Sequence, residues 1–243
     1  MGYAIFVLGP AGSGKTTFCT NLKEHGKAIH RPFHLINLDP AQQDSSIDYD
    51  LSITDYITVT EVMEMLDYGP NGGLVVALEE LYENIEELEL ETYTGDYLII
   101  DCPGQIELFT HSEVITNIVK YMQQYFTCAA VFLMEASYMT DTHKYISGCL
   151  CATLCMARFG LPHVNIMSKM DLIERQSLPN EVNLNGKDKY SGLTRKILEF
   201  VNENNMVEFQ PLNWNDEETV EDILYSIDSV LQYFDDLEPK EED

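Results

Sequence analysis

Arginine is scarce in this chain of 243 residues: it occurs at Arg31, Arg158, Arg175 and Arg195, none of them within a phosphate-binding motif. Positive charge of either kind is rare, with 14 Lys and Arg against 41 Asp and Glu and a net charge of −27. So acidic a surface excludes direct binding to nucleic acid or to an anionic membrane, since both need basic patches. Basic partners, or high solubility alone, are what it favours. Tryptophan occurs once, at Trp214. No apolar run is long enough for a transmembrane helix. Cys19, Cys102, Cys128, Cys149, Cys151 and Cys155 form no C-x-x-C pair. Cys149, Cys151 and Cys155 fall in an apolar, helix-like segment, where buried small thiols are expected in preference to metal ligands. Free thiols without a secretory leader point to a reducing compartment. Met1-Gly2 opens like a myristoylation signal, but Phe6 stands where Ser or Thr is required.

Against these absences stands Gly9-Pro10-Ala11-Gly12-Ser13-Gly14-Lys15-Thr16, which reads G-x-x-x-x-G-K-T. The apolar run Tyr3–Leu8 precedes it and a helix-like stretch from Thr17 to His25 follows it. That strand–loop–helix setting separates a phosphate-binding loop from a chance glycine-rich turn. Glycines at 9, 12 and 14 let several backbone N–H groups turn toward one phosphate chain, and the helix directs its positive end at the same anion. Lys15 is placed to reach the β- and γ-phosphates and the Thr16 hydroxyl to ligate Mg²⁺. Gly12, Ser13, Gly14, Lys15, Thr16 and Thr17 are the nucleotide-binding residues this loop predicts.

Apolar β-type runs alternate with helix-like segments along the whole chain, the pattern of an α/β fold with a mainly parallel sheet. Strands are expected at Tyr3–Leu8, Phe33–Leu38, Tyr97–Asp101, Cys128–Glu135, His163–Met167 and Val207–Pro211. Helices are expected at Lys15–His25, Val59–Asp67, Gly73–Leu90, Ser112–Tyr125, Thr142–Phe159, Tyr190–Glu203 and Glu217–Phe234. Most of the strands are continuously apolar, as in a sheet covered on both faces. The stretch Glu79–Glu91 interleaves Leu78, Leu81, Ile85 and Leu88 with glutamates at near-helical spacing, which predicts an amphipathic helix with a solvated acidic face. Leu172–Lys189 reads as a polar connection. Ser45–Thr58 reads either as a surface loop or as a nucleotide-sensitive switch.

Two further motifs complete the chemistry. Leu98-Ile99-Ile100-Asp101 runs into Cys102-Pro103-Gly104-Gln105. An aspartate at the carboxyl end of a buried strand beside a phosphate loop is placed to hold Mg²⁺. Gly104 can offer its N–H to a γ-phosphate, and Gln105 can orient an attacking water. Later, Ser168-Lys169-Met170-Asp171 follows an apolar run at the place where many GTPases carry N-K-x-D. The Asp171 carboxylate can accept two hydrogen bonds from guanine, a donor pair that adenine lacks. The Lys169 stem can lie on the purine face. Ser168 replaces the usual Asn and spans less distance. His111 reads as a capping or packing residue in preference to a base. Glu135 reads as a supporting residue at the sheet edge. Pro211-Leu212-Asn213, before Trp214, is a candidate backbone contact to the base.

Together with Asn37-Leu38-Asp39-Pro40-Ala41 and Gly69-Pro70-Asn71-Gly72-Gly73, the Asp101–Glu107 segment resembles the GPN-loop GTPase family, over roughly residues 1–235. Further details are similar to the third eukaryotic paralogue of that family. They are Cys102, Lys144–Gly148, Val164–Met167, and Leu231-Gln232-Tyr233 followed by Asp236-Leu237-Glu238. Ser168 departs from the threonine usual there.

The resemblance implies a three-layer P-loop NTPase domain over residues 1–235, with an acidic C-terminal tail at 236–243. It implies Mg²⁺-dependent hydrolysis of GTP to GDP by a dimer. Asp39 would act in the first switch near Mg²⁺, beside the metal residues Thr16 and Asp101. Gln105 and Glu107 would hold the nucleophilic water. Asn71, in the Gly69-Pro70-Asn71 loop, would reach across the interface toward the partner's γ-phosphate. The resemblance further implies a paralogous GPN-loop GTPase as partner, with a homodimer as the alternative. It also implies contact with RNA polymerase II subunits during assembly and nuclear import, and a cytoplasmic place with shuttling to the nucleus. On the chemistry of its residues alone, Gly69–Gly73 reads as a turn that merely starts the Gly73–Leu90 helix; the presence of the other motifs reverses that reading in favour of a catalytic loop. A P-loop kinase and a nucleotide-binding adaptor without turnover stand as competing readings. Scarce arginine and Asp171 weigh against the first, and Asp101, Gln105 and Glu107 against the second.

Overall fold

The structure, a computed structural model, describes residues 1–172, 192, 196 and 207–234. Its strands are β1 (Gly2–Leu8), β2 (His34–Asn37), β3 (Leu51–Ser52), β4 (Tyr97–Asp101), β5 (Phe126–Glu135), β6 (His163–Ser168) and β7 (Phe209–Pro211). They form one sheet in the order β3-β2-β4-β1-β5-β6-β7, and every pairing is parallel. The helices are α1 (Lys15–Ala28), α2 (Val59–Leu66), α3 (Pro70–Glu83), α4 (Ile106–Thr110), α5 (Val114–Met122), α6 (Thr142–Phe159) and α7 (Glu217–Leu231).

Side chains alternate across a strand, so each long apolar run feeds two layers. Ala4, Phe6 and Leu8 of β1 join Leu98, Ile100, Ala130 and Phe132 on the face covered by α3, α5 and α6. Tyr3, Ile5 and Val7 join Ile99, Val131 and Leu133 on the face covered by α1 and α7. The result is the expected three-layer α/β architecture. Because all strands run the same way, the carboxyl ends of β1, β2, β4 and β6 share one edge. Asp101 is in register with Asn37 on one side and Val7 on the other, and Glu135 with Ser168.

Several boundaries differ from the sequence reading. Helix α3 begins at Pro70, with Gly69 as its N-cap. Proline fits the first helical position because its missing N–H would be unbonded there. The helix ends at Glu83, where the Asn84 side chain bonds back to the Glu80 carbonyl at 2.9 Å. Ile85–Leu88 continues as a 3₁₀ turn. Leu78, Leu81, Ile85 and Leu88 are nonetheless all buried, as their spacing predicts. The Ser45–Thr58 segment contains β3 and a 3₁₀ turn at Ile53–Asp55. The short helix α4 was not expected. Helix α6 spans the predicted residues, started by Asp141, whose carboxylate accepts the His143 and Lys144 N–H groups. All six cysteines are free, and all but Cys151 are buried. No described helix is long and apolar enough to cross a membrane. Apart from positions 192 and 196, the expected Tyr190–Glu203 helix lies outside the described residues. So do the connection beyond Leu172 and the tail from residue 235.

Candidate nucleotide-binding and active site

The loop after β1 turns on three glycines with positive φ: Gly9 at 143°, Gly12 at 80° and Gly14 at 89°. Gly14 is the N-cap of α1 and supplies no side-chain cap, and the first turn of α1 carries no acidic residue. Its N–H groups and positive end are therefore available to an anion. Lys15, buried at 8% exposure, donates from Nζ to the Pro10 carbonyl at 3.3 Å. Burial lowers its pKa, while Asp101, Cys102 and Asp39 act to raise it. Thr16 is half-buried and Thr17 exposed on the first turn of α1. The buried Ser13 hydroxyl has no hydrogen-bond partner among the described residues.

Asp101 ends β4 at 1% exposure. Burial raises its pKa, and the Thr16 hydroxyl, Lys15 and the Tyr49 hydroxyl draw it back down. Its Oδ2 accepts from the Tyr49 hydroxyl at 3.1 Å. Its Oδ1 is buried and has no hydrogen-bond partner among the described residues. A buried, unpartnered carboxylate oxygen beside a phosphate loop is costly unless a cation or bound water faces it. Asp39 lies close enough to raise Asp101 further, and burial raises Asp39 itself. Its Oδ1 accepts the Ala41 N–H, and its own N–H donates to the buried Asn37 side chain. These residues fit Mg²⁺, which binds one or two carboxylates together with substrate phosphates. Among the described residues no three His, Cys, Asp or Glu side chains converge as a metal cage.

Gly104 packs against the phosphate loop. A Cβ there would lie 3.0 Å from Ala11 Cα and 3.1 Å from Lys15 Nζ, so any side chain at this position would push on the phosphate loop. Gln105 is the N-cap of α4, and its Nε2 donates to Asn71 Oδ1 at 3.1 Å. The first turn of α3 thus meets the Gln105 segment within one chain. Glu107 is exposed on the first turn of α4. His111 follows α4 and bonds Thr110 Oγ1 through Nδ1 at 2.7 Å, a capping position.

The β6 end is tied to the same loop. Ser168 Oγ donates to the Ser13 carbonyl at 2.6 Å, with the Met134 carbonyl at 3.3 Å. Its hydroxyl therefore braces the phosphate loop. Lys169, at φ 59°, donates to the Gly12 carbonyl at 2.7 Å and pairs with Glu135 at 3.2 Å. The Ser137 hydroxyl and Lys169 together hold the Glu135 carboxyl below its ordinary range. Asp171 is exposed at this edge in a 3₁₀ turn. The Met170 N–H donates to the Leu212 carbonyl and the Leu212 N–H to the Met167 carbonyl, so the loop after β7 fixes the Asp171 turn. Asn213 N–H is taken by Thr219, and Trp214 packs on Phe18.

Sequence reasoning missed Tyr49, which touches Asp101, and the clamp that holds it. Lys23 of α1 donates to Asp50 at 2.8 Å and to the Asp48 carbonyl at 2.7 Å. Only the Tyr49 aromatic between two aspartates hinted at this arrangement.

A glycine-rich loop at a helix N-terminus, an adjacent strand-end aspartate and a Lys-x-Asp turn on one parallel edge define a P-loop nucleotide-binding protein. A family profile described as "Conserved hypothetical ATP binding protein" matches residues 7–233. GPN-loop GTPase 3 of Dictyostelium discoideum is 40% identical, covering 97% of this chain and 89% of its own length. GPN-loop GTPase 3 of Schizosaccharomyces pombe is 39% identical, covering 99% and 95%. A GTPase of Pyrococcus abyssi, solved in apo form, shares the fold with a TM-score of 0.77 at 23% identity, over 93% of this chain and 96% of its own. The chain belongs to the GPN-loop GTPase family.

Proposed function

We propose that this chain binds GTP with Mg²⁺ and hydrolyses it to GDP and phosphate. The observation that carries this reading is the buried Asp101 oxygen without a partner, set beside Lys15, Thr16 and Asp39. In the bound state Lys15 exchanges the Pro10 carbonyl for phosphate oxygens, and the N–H groups of Gly12–Thr17 hold the phosphate chain. Thr16 and Asp101 would hold Mg²⁺, with Asp39 close by. When bound, the ion neutralises charge between the phosphates that separate. Gly104 presents its N–H to the γ-phosphate. Gln105 orients the water and Glu107 accepts from it. Asp171 reads the guanine edge, with the Lys169 stem against the ring.

No arginine lies in these motifs, so a stabilising group must come from elsewhere. We propose that it is Asn71, acting at the active site of a second GPN-loop subunit. Met65 at 83%, Leu66 at 52% and Tyr68 at 52% exposure lead directly into Gly69-Pro70-Asn71. An apolar group this open suits a subunit contact. The resemblance to the third paralogue favours a heterodimer with a paralogue over a homodimer. It also favours a role in RNA polymerase II assembly and nuclear import, exerted from the cytoplasm.

The test of the nucleotide reading is direct. Wild type and Asp171→Ala are titrated with GDP and with ADP in Mg²⁺. Wild type should prefer GDP, and Asp171→Ala should lose roughly 100-fold in GDP affinity, as expected for two charge-assisted bonds. Equal binding of ADP by the wild type would support the adenine reading that the family description names. GTP hydrolysis by wild type but not by Gln105→Ala completes the assignment.

A further inference from the structure

Tyr49 belongs to neither the phosphate loop nor the strand-end motifs, yet it touches the metal carboxylate. Its hydroxyl donates to Asp101 Oδ2 at 3.1 Å and accepts from Gln42 Nε2 at 3.2 Å. Its ring packs against the core on the α1–α7 face. Its neighbour Asp50 anchors it from behind, accepting from Lys23 Nζ at 2.8 Å and from the Leu35 N–H at 2.7 Å. The carboxylate is thereby held with Oδ2 occupied and Oδ1 as its open oxygen. Gln42 also follows Asp39 by three residues, so one hydrogen-bonded chain ties the Asp39 loop to Asp101.

We infer that Tyr49 is a positioning residue for the metal. It fixes the Asp101 carboxylate so that one oxygen remains for Mg²⁺ or a Mg²⁺-bound water, and it couples the Asp39 loop to that occupancy. This rests on the reading of Asp101 as a Mg²⁺ carboxylate. Without the hydroxyl, Oδ2 becomes a second buried oxygen lacking a donor. The carboxylate is then free to rotate, which turns its open oxygen away from the cation. Phenylalanine preserves the ring and its packing and removes only the hydroxyl, with its bonds to Asp101 and from Gln42.

The experiment loads the full chain with a fluorescent GDP analogue and follows its release across a Mg²⁺ titration. Tyr49→Phe should need about tenfold more Mg²⁺ than wild type for half-maximal slowing of release, the loss of one charge-assisted bond. Release in EDTA should stay within about twofold, because the nucleotide's own contacts are untouched. Gln42→Ala, which removes the bond to the Tyr49 hydroxyl together with those that Gln42 Oε1 accepts from the Gln43 and Asp44 N–H groups, leaves the Tyr49–Asp101 bond in place and should shift the midpoint in the same direction by less. A Tyr49→Phe midpoint equal to wild type overturns the inference alone. So does an equal acceleration of release with and without Mg²⁺, which would make Tyr49 a general packing residue. A wild type whose GDP release ignores Mg²⁺ overturns the metal reading, and this inference with it.

Discussion

Asp101 and Asp39 illustrate how single residues carry electrostatic cost for function. Burial raises both carboxyls above the ordinary aspartate value of 3.8. The sign follows from proton counts. Between the ordinary and the raised value the folded chain binds more protons than the unfolded one. The empty protein therefore loses stability as pH rises through that window. A bound cation reverses the preference, since it competes with the proton for the same oxygens. The stabilisation by Mg²⁺ and GDP should therefore shrink as pH falls, beginning above the pH at which an exposed aspartate would protonate. Thermal unfolding with and without Mg²⁺, over a pH series in saturating GDP, checks this. A Mg²⁺ effect that is constant down to the ordinary aspartate range would count against it.

At the scale of elements, the joint between α7 and the start of β2 stands out. Arg31 donates to both Asp228 oxygens, at 2.5 and 2.7 Å. Its guanidinium lies 3.7 Å from the Tyr233 ring centroid and 4.7 Å from that of Tyr97. Asp228 is 2% exposed. Removing one partner of a buried bidentate pair leaves the other charge without compensation. Asp228→Ala should cost roughly 3 kcal/mol, which lowers the melting temperature by roughly 6–12 °C for a chain of this size. Calorimetry of wild type and variant measures it, and a shift of a degree or less would remove the pair from the stabilising contacts.

The elements differ in how far they could be read beforehand. Strands buried on both faces are continuous apolar runs, so β1, β4 and β5 were plain. Helix α6 was legible to the residue because a capping aspartate precedes it and Gly160, at φ 59°, ends it. The two-residue β3 and five-residue α4 carry too few positions for a period to register. The start of α3 was displaced because Gly-Pro-Asn was weighed as a loop, although proline at the first helical position allows it inside. The same division holds in the site. Asp101, Gly104 and Lys169 sit at or just past strand ends and Lys15 opens α1, places that local sequence declares. Tyr49 and Lys23 act through contacts between distant segments, which no local pattern encodes.

At the scale of the whole molecule, the question is which active site Asn71 serves. In this chain it meets Gln105, and its neighbours Met65, Leu66 and Tyr68 are exposed, which is what the proposed subunit contact requires. An amide can both donate to a phosphate oxygen and accept from water. Asn71→Ala should leave nucleotide binding in its own subunit nearly intact and silence hydrolysis in the other. The chain carrying Asn71→Ala is mixed with a partner whose own phosphate-loop lysine is intact or mutated, and turnover is assigned to each site. A defect confined to the mutated chain's own site would mean that Asn71 acts in cis, and the shared-interface mechanism would have to be abandoned.

The strand order also has a consequence for how the chain comes into being on the ribosome. β1, synthesised before either neighbour, lies between β4 and β5 and finds its pairing partners only at Tyr97–Asp101 and Phe126–Phe132. Arg31 waits longer still, for an aspartate 197 residues later. Until α7 emerges, the sheet face formed by Tyr3, Ile5, Val7, Ile99 and Val131 lacks half its cover. Contacts so remote in sequence form slowly and leave apolar surface exposed meanwhile. A nascent chain of this topology therefore passes through a long, sticky adolescence, and a ribosome that stalls before Glu217 releases a species made for a chaperone's grip.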